Sequence, residues 1–339
     1  MRIGLDAMGG DRAPGVIVEG ALAALEEAGS GLDITLVGRN SQILKEISSR
    51  GIAASVFEIA DARDVVAMDE QPSVALRKKR DSSIAVGLHL HREGGIDGFI
   101  SAGNTGAVVA SALFTLGRIE GVKRPAIATY VPTGGGGCVL LDVGANIDCT
   151  PLHLFQYGVM GSCYADAVLK KEQPRVGLLN VGEESSKGTG IIQETYKLLK
   201  ESNLNFIGNV EGRDIFRGSV DVVICDGFVG NIVLKFAESV VDMVYGVMRD
   251  SLTSTLRGRI GGLLLKPAFK ELKARFDYAE YGSAPLLGVD GVCTIAHGSS
   301  SVRAVKNAVL ATQDYIRYDV RSIIKERLKK REHSSSKAT

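Results

Sequence analysis

Apolar positions along the chain keep two rhythms: short continuous runs, and longer stretches where they recur every three or four residues. The runs predict strands at 2–6, 33–37, 55–59, 97–100, 126–130, 138–143, 175–179, 206–208, 221–225 and 292–296. Helical spacing fills the gaps between them. Strands alternating with helices predict an α/β fold on a largely parallel sheet. In such sheets ligands bind beyond the carboxyl ends of the strands. The turns there are polar and carry glycine: "DAMGGDRAPG" (6–15), "SAGNTGA" (101–107), "DVGANID" (142–148), "NVGEESSKGTG" (180–190), "CDGFVGN" (225–231) and "HGSSS" (297–301). Such turns facing one edge predict a site.

The second of these turns has the plainest chemistry. Asp97-Gly98-Phe99-Ile100 ends a strand and Asn104 opens a helix, so Ser101-Ala102-Gly103 is the turn between them. Small residues let the unpaired N–H groups of the helix's first turn approach a ligand, and with the helix dipole they favour an anion. No Gly-Lys-Ser/Thr follows, so this is not a nucleotide P-loop, and its glycine spacing fails the dinucleotide fingerprint. The competing reading is an ordinary tight turn. A faint echo joins "IDGFISAGNTGAVV" (96–109) to "VDVVICDGFVGNIV" (220–233), pairing Asp97 with Asp221, Gly103 with Gly227, Gly106 with Gly230 and Val109 with Val233. It predicts two opposed turns around one cleft, unless both only follow the shared grammar of α/β units.

Composition narrows the class. At 339 residues the chain can bury a substantial core in one large α/β unit or two joined ones. A net charge of +1 with 23% charged residues removes bulk attraction to a polyanion, so no nucleic-acid partner is expected. Five cysteines without a CxxC pair suggest reduced thiols in the cytoplasm. His89 and His91 point to different sides of a helix, so no metal is expected. No apolar run reaches the ~20 residues of a membrane span.

Taken in order, "MRIGLDAMGGDRAPG", "SAGNTGA", "LLDVGAN", "VGLLNVGEE", "DVVICDGFVGN" and "HGSSS" resemble the bacterial phosphate acyltransferase family, over residues 1–325. The resemblance implies an enzyme of phospholipid synthesis that turns acyl-(acyl carrier protein) and inorganic phosphate into acyl phosphate. It implies a three-layer sheet flanked by helices, like phosphotransacetylases and, more distantly, isocitrate and isopropylmalate dehydrogenases. A single catalytic unit over 1–333 in two joined halves, no cofactor, and a homodimer are expected.

Phosphate attacking a thioester needs a cradle for a dianion and a donor for the oxyanion, but no covalent nucleophile, because phosphate is already charged. Ser101, Gly103, Asn104 and Thr105 are expected to cradle phosphate, with Asn146 donating from the neighbouring strand end or capping its own turn. Lys187 in "EESSKGTG" supplies positive charge, or is a solvated loop lysine. Asn231 and Lys235, one helical turn apart, hold the thioester arm or the second face of phosphate, or are a cap and a surface charge. Asp226 orients Lys187 or caps the helix after it. His297 hydrogen-bonds or protonates the departing thiolate, or is a plain core histidine. Ser299 is expected to cap the final helix.

From Arg257 to Arg275 six basic residues stand against one glutamate, around Leu263, Leu264 and Leu265. An amphipathic helical hairpin over 247–280, broken by Gly261-Gly262 and Pro267, is expected to touch an anionic membrane or a second subunit. That makes the protein cytoplasmic and peripherally membrane-associated. "RSIIKERLKKR" (321–331) and "RKKR" (77–80) are candidate docking sites for the acidic carrier protein, and 334–339 is expected to be a disordered tail. The competing functions are a phosphotransacetylase acting on acetyl coenzyme A, and a non-catalytic membrane organiser. An oxidoreductase is disfavoured by the missing dinucleotide fingerprint.

Overall fold

A computed structural model describes residues 1–133, 136–276 and 280–335. Its strands are β1 (Arg2–Asp6), β2 (Asp33–Gly38), β3 (Glu58–Asp61), β4 (Gly98–Ser101), β5 (Ala126–Thr133), β6 (Gly136–Leu141), β7 (Val176–Leu179), β8 (Phe206–Val210), β9 (Val222–Ile224), β10 (Ser283–Leu287) and β11 (Cys293–Ala296). They form one sheet in the order β3-β2-β1-β4-β11-β10-β5-β6-β9-β7-β8. Its helices are α1 (Gly15–Ala28), α2 (Asn40–Ser49), α3 (Pro72–Lys78), α4 (Ser83–Arg92), α5 (Thr105–Thr115), α6 (Pro151–Ala167), α7 (Gly190–Lys200), α8 (Gly227–Thr253), α9 (Leu256–Phe276), α10 (Val302–Arg317) and α11 (Val320–Ser335).

Pairing is parallel from β3 to β11 and again from β6 to β8, and antiparallel where β10 meets β11, β10 meets β5, and β5 meets β6. These reversals make the two halves run in opposite senses. The six turns therefore do not share one edge, as a uniformly parallel sheet would require. Those after β1, β4 and β11 leave one edge, and those after β6, β7 and β9 leave the other. Strand twist accumulates across the middle of the sheet, and turns from both halves meet at one cavity.

Helices cover both faces. Over β1 and β2, α1 packs on α10 so closely that a Cβ at Gly20 would run into Val305. In the second half α6 covers β6 and β9 and is itself covered by α11. On the opposite face one core runs through Ile84, Phe99 and Val108 into Leu140 and Val223 and on to Val233 and Leu234 of α8, so the two halves share it. At matching places in each half, an aspartate before a strand accepts the N–H of an arginine opening its neighbour. Arg2 N donates to Asp97 at 2.7 Å, and Arg175 N to Asp221 at 2.9 Å. The echo slips out of register after the strands, since the helix caps are Asn104 and Asp226.

The hairpin turns at Ser254-Thr255, not at Gly261-Gly262 or Pro267, which all lie inside α9. Gly258 permits the reversal, because a Cβ there would lie 2.7 Å from the carbonyl oxygen of Leu252. Helix α11 continues to Ser335, past the expected start of the tail, and 336–339 lie outside the described residues, as do 277–279 of the expected hairpin.

Two glycines of α8 test this packing. A Cβ at Gly230 would collide with the carbonyl oxygen of Asp142, whereas Gly246 has open space around it. Gly230→Ala is expected to lower unfolding free energy by ~1–3 kcal/mol. Gly246→Ala should raise it by ~0.5–1 kcal/mol, both read by urea denaturation.

Candidate active site

A cleft of about 600 Å³ lies between the halves. One wall is the turn at 101–107, which a buried carboxylate shapes. Ser101 Oγ donates to Asp6 Oδ2 at 2.6 Å and accepts the N–H of Gly103 at 3.1 Å. Burial pushes the Asp6 pKa up, against the pull of the Ser101 and Ser83 hydroxyls and the Met8 and Gly9 N–H groups. Asn104 caps α5, accepting from Ala107 N at 3.0 Å, while its amide donates to the carbonyls of Ala67, Met68 and Glu70 at 3.1, 3.0 and 2.9 Å. The side chains of Ser101 and Asn104 thus hold the turn and do not line the cleft. Gly103, Thr105 and Gly106 do line it. Among the described residues no acceptor takes the N–H of Thr105 or Gly106. These backbone groups at the start of α5 are of the kind that can hold an anion.

The opposite wall is built around a second buried carboxylate. Asp142 is 0% exposed and accepts five hydrogen bonds, from the N–H groups of Ile127, Gly144, Ala145 and Asn146 and from the Asn146 amide. Asn146 also donates to the Pro125 carbonyl at 2.7 Å, so both protons of its amide are engaged within the fold. Gly227 N donates to Asn146 O at 2.7 Å, and Asp226 caps α8 by accepting from Val229 N at 2.9 Å. Helix α8 is thereby seated on the 142–146 turn, and Asn231, Lys235 and Glu238 of its next turns line the cleft.

His297 and Ser299 complete the rim. Ser299 N donates to His297 Nδ1 at 3.2 Å, and its Oγ lies 2.8 Å from the same atom. Nδ1 accepts that N–H, so whenever the ring is neutral its proton lies on Nε2. Arg12 clips this turn to the one after β1 by donating to the carbonyls of Ser299 and Ser300. The cap of α10 is Ser301, not Ser299: its side chain accepts from Ala304 N at 3.2 Å.

Lys187 stands apart. Its exposed loop is closed by Asn180 donating to the Lys187 carbonyl at 3.1 Å, and its ammonium has no partner among the described residues. It does not line the cleft, although the Glu183–Arg213 ion pair at 3.5 Å ties the same loop to the segment bearing Ile215 and Phe216, which do. Glu238 is the residue that sequence reasoning missed. Burial pushes its pKa up, while the charges of His297 and Lys235 pull it down and that of Asp242 adds to the rise. Its spacing from Asn231 and Lys235 on one helix face was the available signal. Among the described residues no group of carboxylates, histidines and cysteines has metal-binding geometry.

The model of the family described as "Fatty acid synthesis protein" matches residues 1–323. A phosphate acyltransferase of Heliobacterium modesticaldum is 50% identical over 97% of this chain and 98% of its own. One of Geobacter sulfurreducens is 46% identical over 97% and 94%. Among solved structures, a phosphotransacetylase of Staphylococcus aureus superposes with a TM-score of 0.59 at 17% identity, covering 93% of this chain and 94% of that one. A branched-chain phosphotransacylase of Enterococcus faecalis gives 0.57 at 13%, covering 93% and 99%. The solved structures share the fold.

The structural role of Asn104 is testable. Asn104→Ala is expected to cost ~2 kcal/mol of unfolding free energy, through the lost cap and the three stranded carbonyls. Asn104→Asp, which keeps the cap but sets a carboxylate against those carbonyls, should cost more. Wild-type stability for both, measured in urea, would return the side chain to ligand binding.

Proposed function

The chain belongs to the fatty acid synthesis protein family, and from that premise we propose that it is a phosphate acyltransferase that transfers a long acyl chain from acyl carrier protein to inorganic phosphate. The observation that carries this reading is the cleft itself. The unaccepted N–H groups of Thr105 and Gly106 share it with His297, Asn231 and a buried apolar floor.

In this reading phosphate rests on the start of α5, where N–H groups and the helix dipole offset its charge. A phosphate oxygen attacks the thioester carbonyl carbon. The C–O bond forms, the C–S bond breaks, and its electron pair leaves on sulfur. A thiol of pKa ~8.5 departs without needing an acid. His297 Nε2–H and the Asn231 amide face the developing oxyanion, and Lys235 brings a cation to the rim. Lys187, whose ammonium has no partner among the described residues, adds a further cation in this reading, on a loop that the Glu183–Arg213 pair ties to the Phe216 side of the cleft. A covalent route has one observation in its favour, the Ser299 hydroxyl beside His297 Nδ1. That lone pair is shared with the Ser299 N–H, which makes the contact the closure of a local turn.

An acetyl group would leave the apolar floor bare, so the floor favours a long chain over acetyl coenzyme A. The product then needs a route to lipid. No helix among the described residues is long and apolar enough to cross a membrane. Leu263, Leu264 and Leu265 are 71%, 78% and 48% exposed on α9, beside Arg257, Arg259 and Lys266, and suit reversible contact with an anionic leaflet. On α8, Phe228, Ile232, Phe236, Met243 and Val247 form an exposed apolar stripe that suits a second copy of the chain. The peripheral location and the homodimer are part of this proposal.

Release of carrier thiol from palmitoyl carrier protein should require phosphate and far outpace release from acetyl coenzyme A; a preference for acetyl coenzyme A would overturn the long-chain reading. Lys187→Ala should lower turnover by ~10²–10³ with unchanged melting, the size expected for an oxyanion partner. Near-normal turnover would make Lys187 a surface charge. Replacing Leu263 and Leu264 with glutamate should abolish sedimentation with anionic vesicles while soluble turnover survives. A monomeric or unfolded variant would make the leucines a subunit contact instead.

A further inference from the structure

A second cavity of about 420 Å³ lies behind the cleft, and the residues common to both are Tyr130, Tyr281 and Ser283. The two rings stack with centroids 4.3 Å apart and planes inclined by 36°. Tyr130 is fixed from behind, since its hydroxyl donates to the Gly136 carbonyl at 2.7 Å and its ring fills the space that a Cβ on Gly137 would need. Tyr281 sits where the chain returns from the hairpin to β10.

The lining of the cleft is of two kinds, polar and apolar. Its phosphate end carries the α5 N–H groups, Asn231 and His297, and Lys235 and Glu238 stand on the α8 side. The apolar part of the lining is Ile127, Val131, Leu140 and Val143, each no more than 8% exposed, with Leu234 and Ile295. A thioester has two arms, and only one is wholly apolar. Burial of the acyl arm along this floor is favourable for each CH₂, whereas the polar carrier arm fits the open mouth. Along β5 the side chains of Ile127 and Val131 face this floor while that of Tyr130 faces the other side of the sheet, and the tyrosine pair stands where β10 parts from β5 and the two pockets meet. Beyond the pair, the second pocket is lined by Val168, Leu169, Pro285, Leu310 and Ala311, with Glu280, Asn307 and Asp314 at its polar side.

We propose that the stacked Tyr130–Tyr281 pair is the end wall of the acyl-chain site and sets the longest chain the cleft accepts, with the second cavity as the space it closes off. The inference rests on the acyltransferase reading above and adds where the chain lies and what measures it. Both rings are held by packing and not by covalent closure, so removing one opens the wall without touching the phosphate end.

The test is a series of saturated acyl carrier protein thioesters from eight to twenty carbons, with kcat/KM compared as ratios within each variant. Tyr281→Ala should raise the ratio of the longest to the mid-length chains by up to about fourfold for each carbon newly buried. Tyr281→Phe keeps the stacked ring and should retain the wild-type ratio. Adding Ala311→Trp to Tyr281→Ala refills the second cavity and should abolish the gain, which general loosening would not explain. A wild-type ratio in Tyr281→Ala, with melting that shows a folded chain, overturns the proposal. Failure of every chain length to give phosphate-dependent thiol release in the wild type would instead overturn the acyltransferase reading on which it stands.

Discussion

The burial of one carboxylate, Asp142, fixes the geometry on which the cleft depends. A buried carboxyl group is tolerated only when donors meet its oxygens, and Asp142, whose pKa burial pushes up against the pull of its hydrogen bonds, collects five of them from the turn that follows it and from β5. Those bonds bend residues 142–146 into a seat for α8. Gly227 and Gly230 allow the helix to sit there, because any side chain would meet the same turn. Asn231, Lys235 and Glu238 face the cleft as a consequence. Asp6 does the lesser version of this work in the other half, holding Ser101 and so the approach to α5.

This arrangement explains why a site for an anion can be built over buried acids. The carboxylates are occupied by inward-facing N–H and O–H groups, and the donors left over, at Thr105 and Gly106, are backbone groups at the positive end of a helix dipole. Phosphate brings its own negative charge to the reaction, and a thioester brings a good leaving group. In the proposed reaction, placement and oxyanion donors then suffice, with no requirement for a strongly activated side chain.

Much of the fold was legible because the two apolar rhythms are clear in an α/β chain. β10 escaped because "SAPLL" is short, contains Pro285 and returns from a helical hairpin instead of following a turn. The opposed sense of the halves escaped for the same reason, since the antiparallel strands in the middle carry no pattern distinct from parallel ones. The turns were legible as places, but side-chain duties within them were not. Ser101, Asn104 and Asn146 are polar residues at strand ends, and polarity alone does not separate a ligand contact from a cap. Carbonyl partners brought from residues 67–70 and 125 decide the matter, and those are tertiary. Lys187 looked central for its glycine neighbours, yet its loop lies outside the cleft. Glu238, inside it, was not singled out among the charged residues of the chain.

The central claim is that phosphate attacks the thioester directly, with both held in one cleft. A single-turnover experiment tests this most directly, with the protein in excess over palmitoyl carrier protein, quenched in milliseconds to seconds, with and without phosphate. Direct attack predicts no thiol release above background without phosphate, and one acyl phosphate for each thiol when phosphate is present. A phosphate-independent burst that leaves the acyl group on the protein, and that disappears in Ser299→Ala, would contradict it.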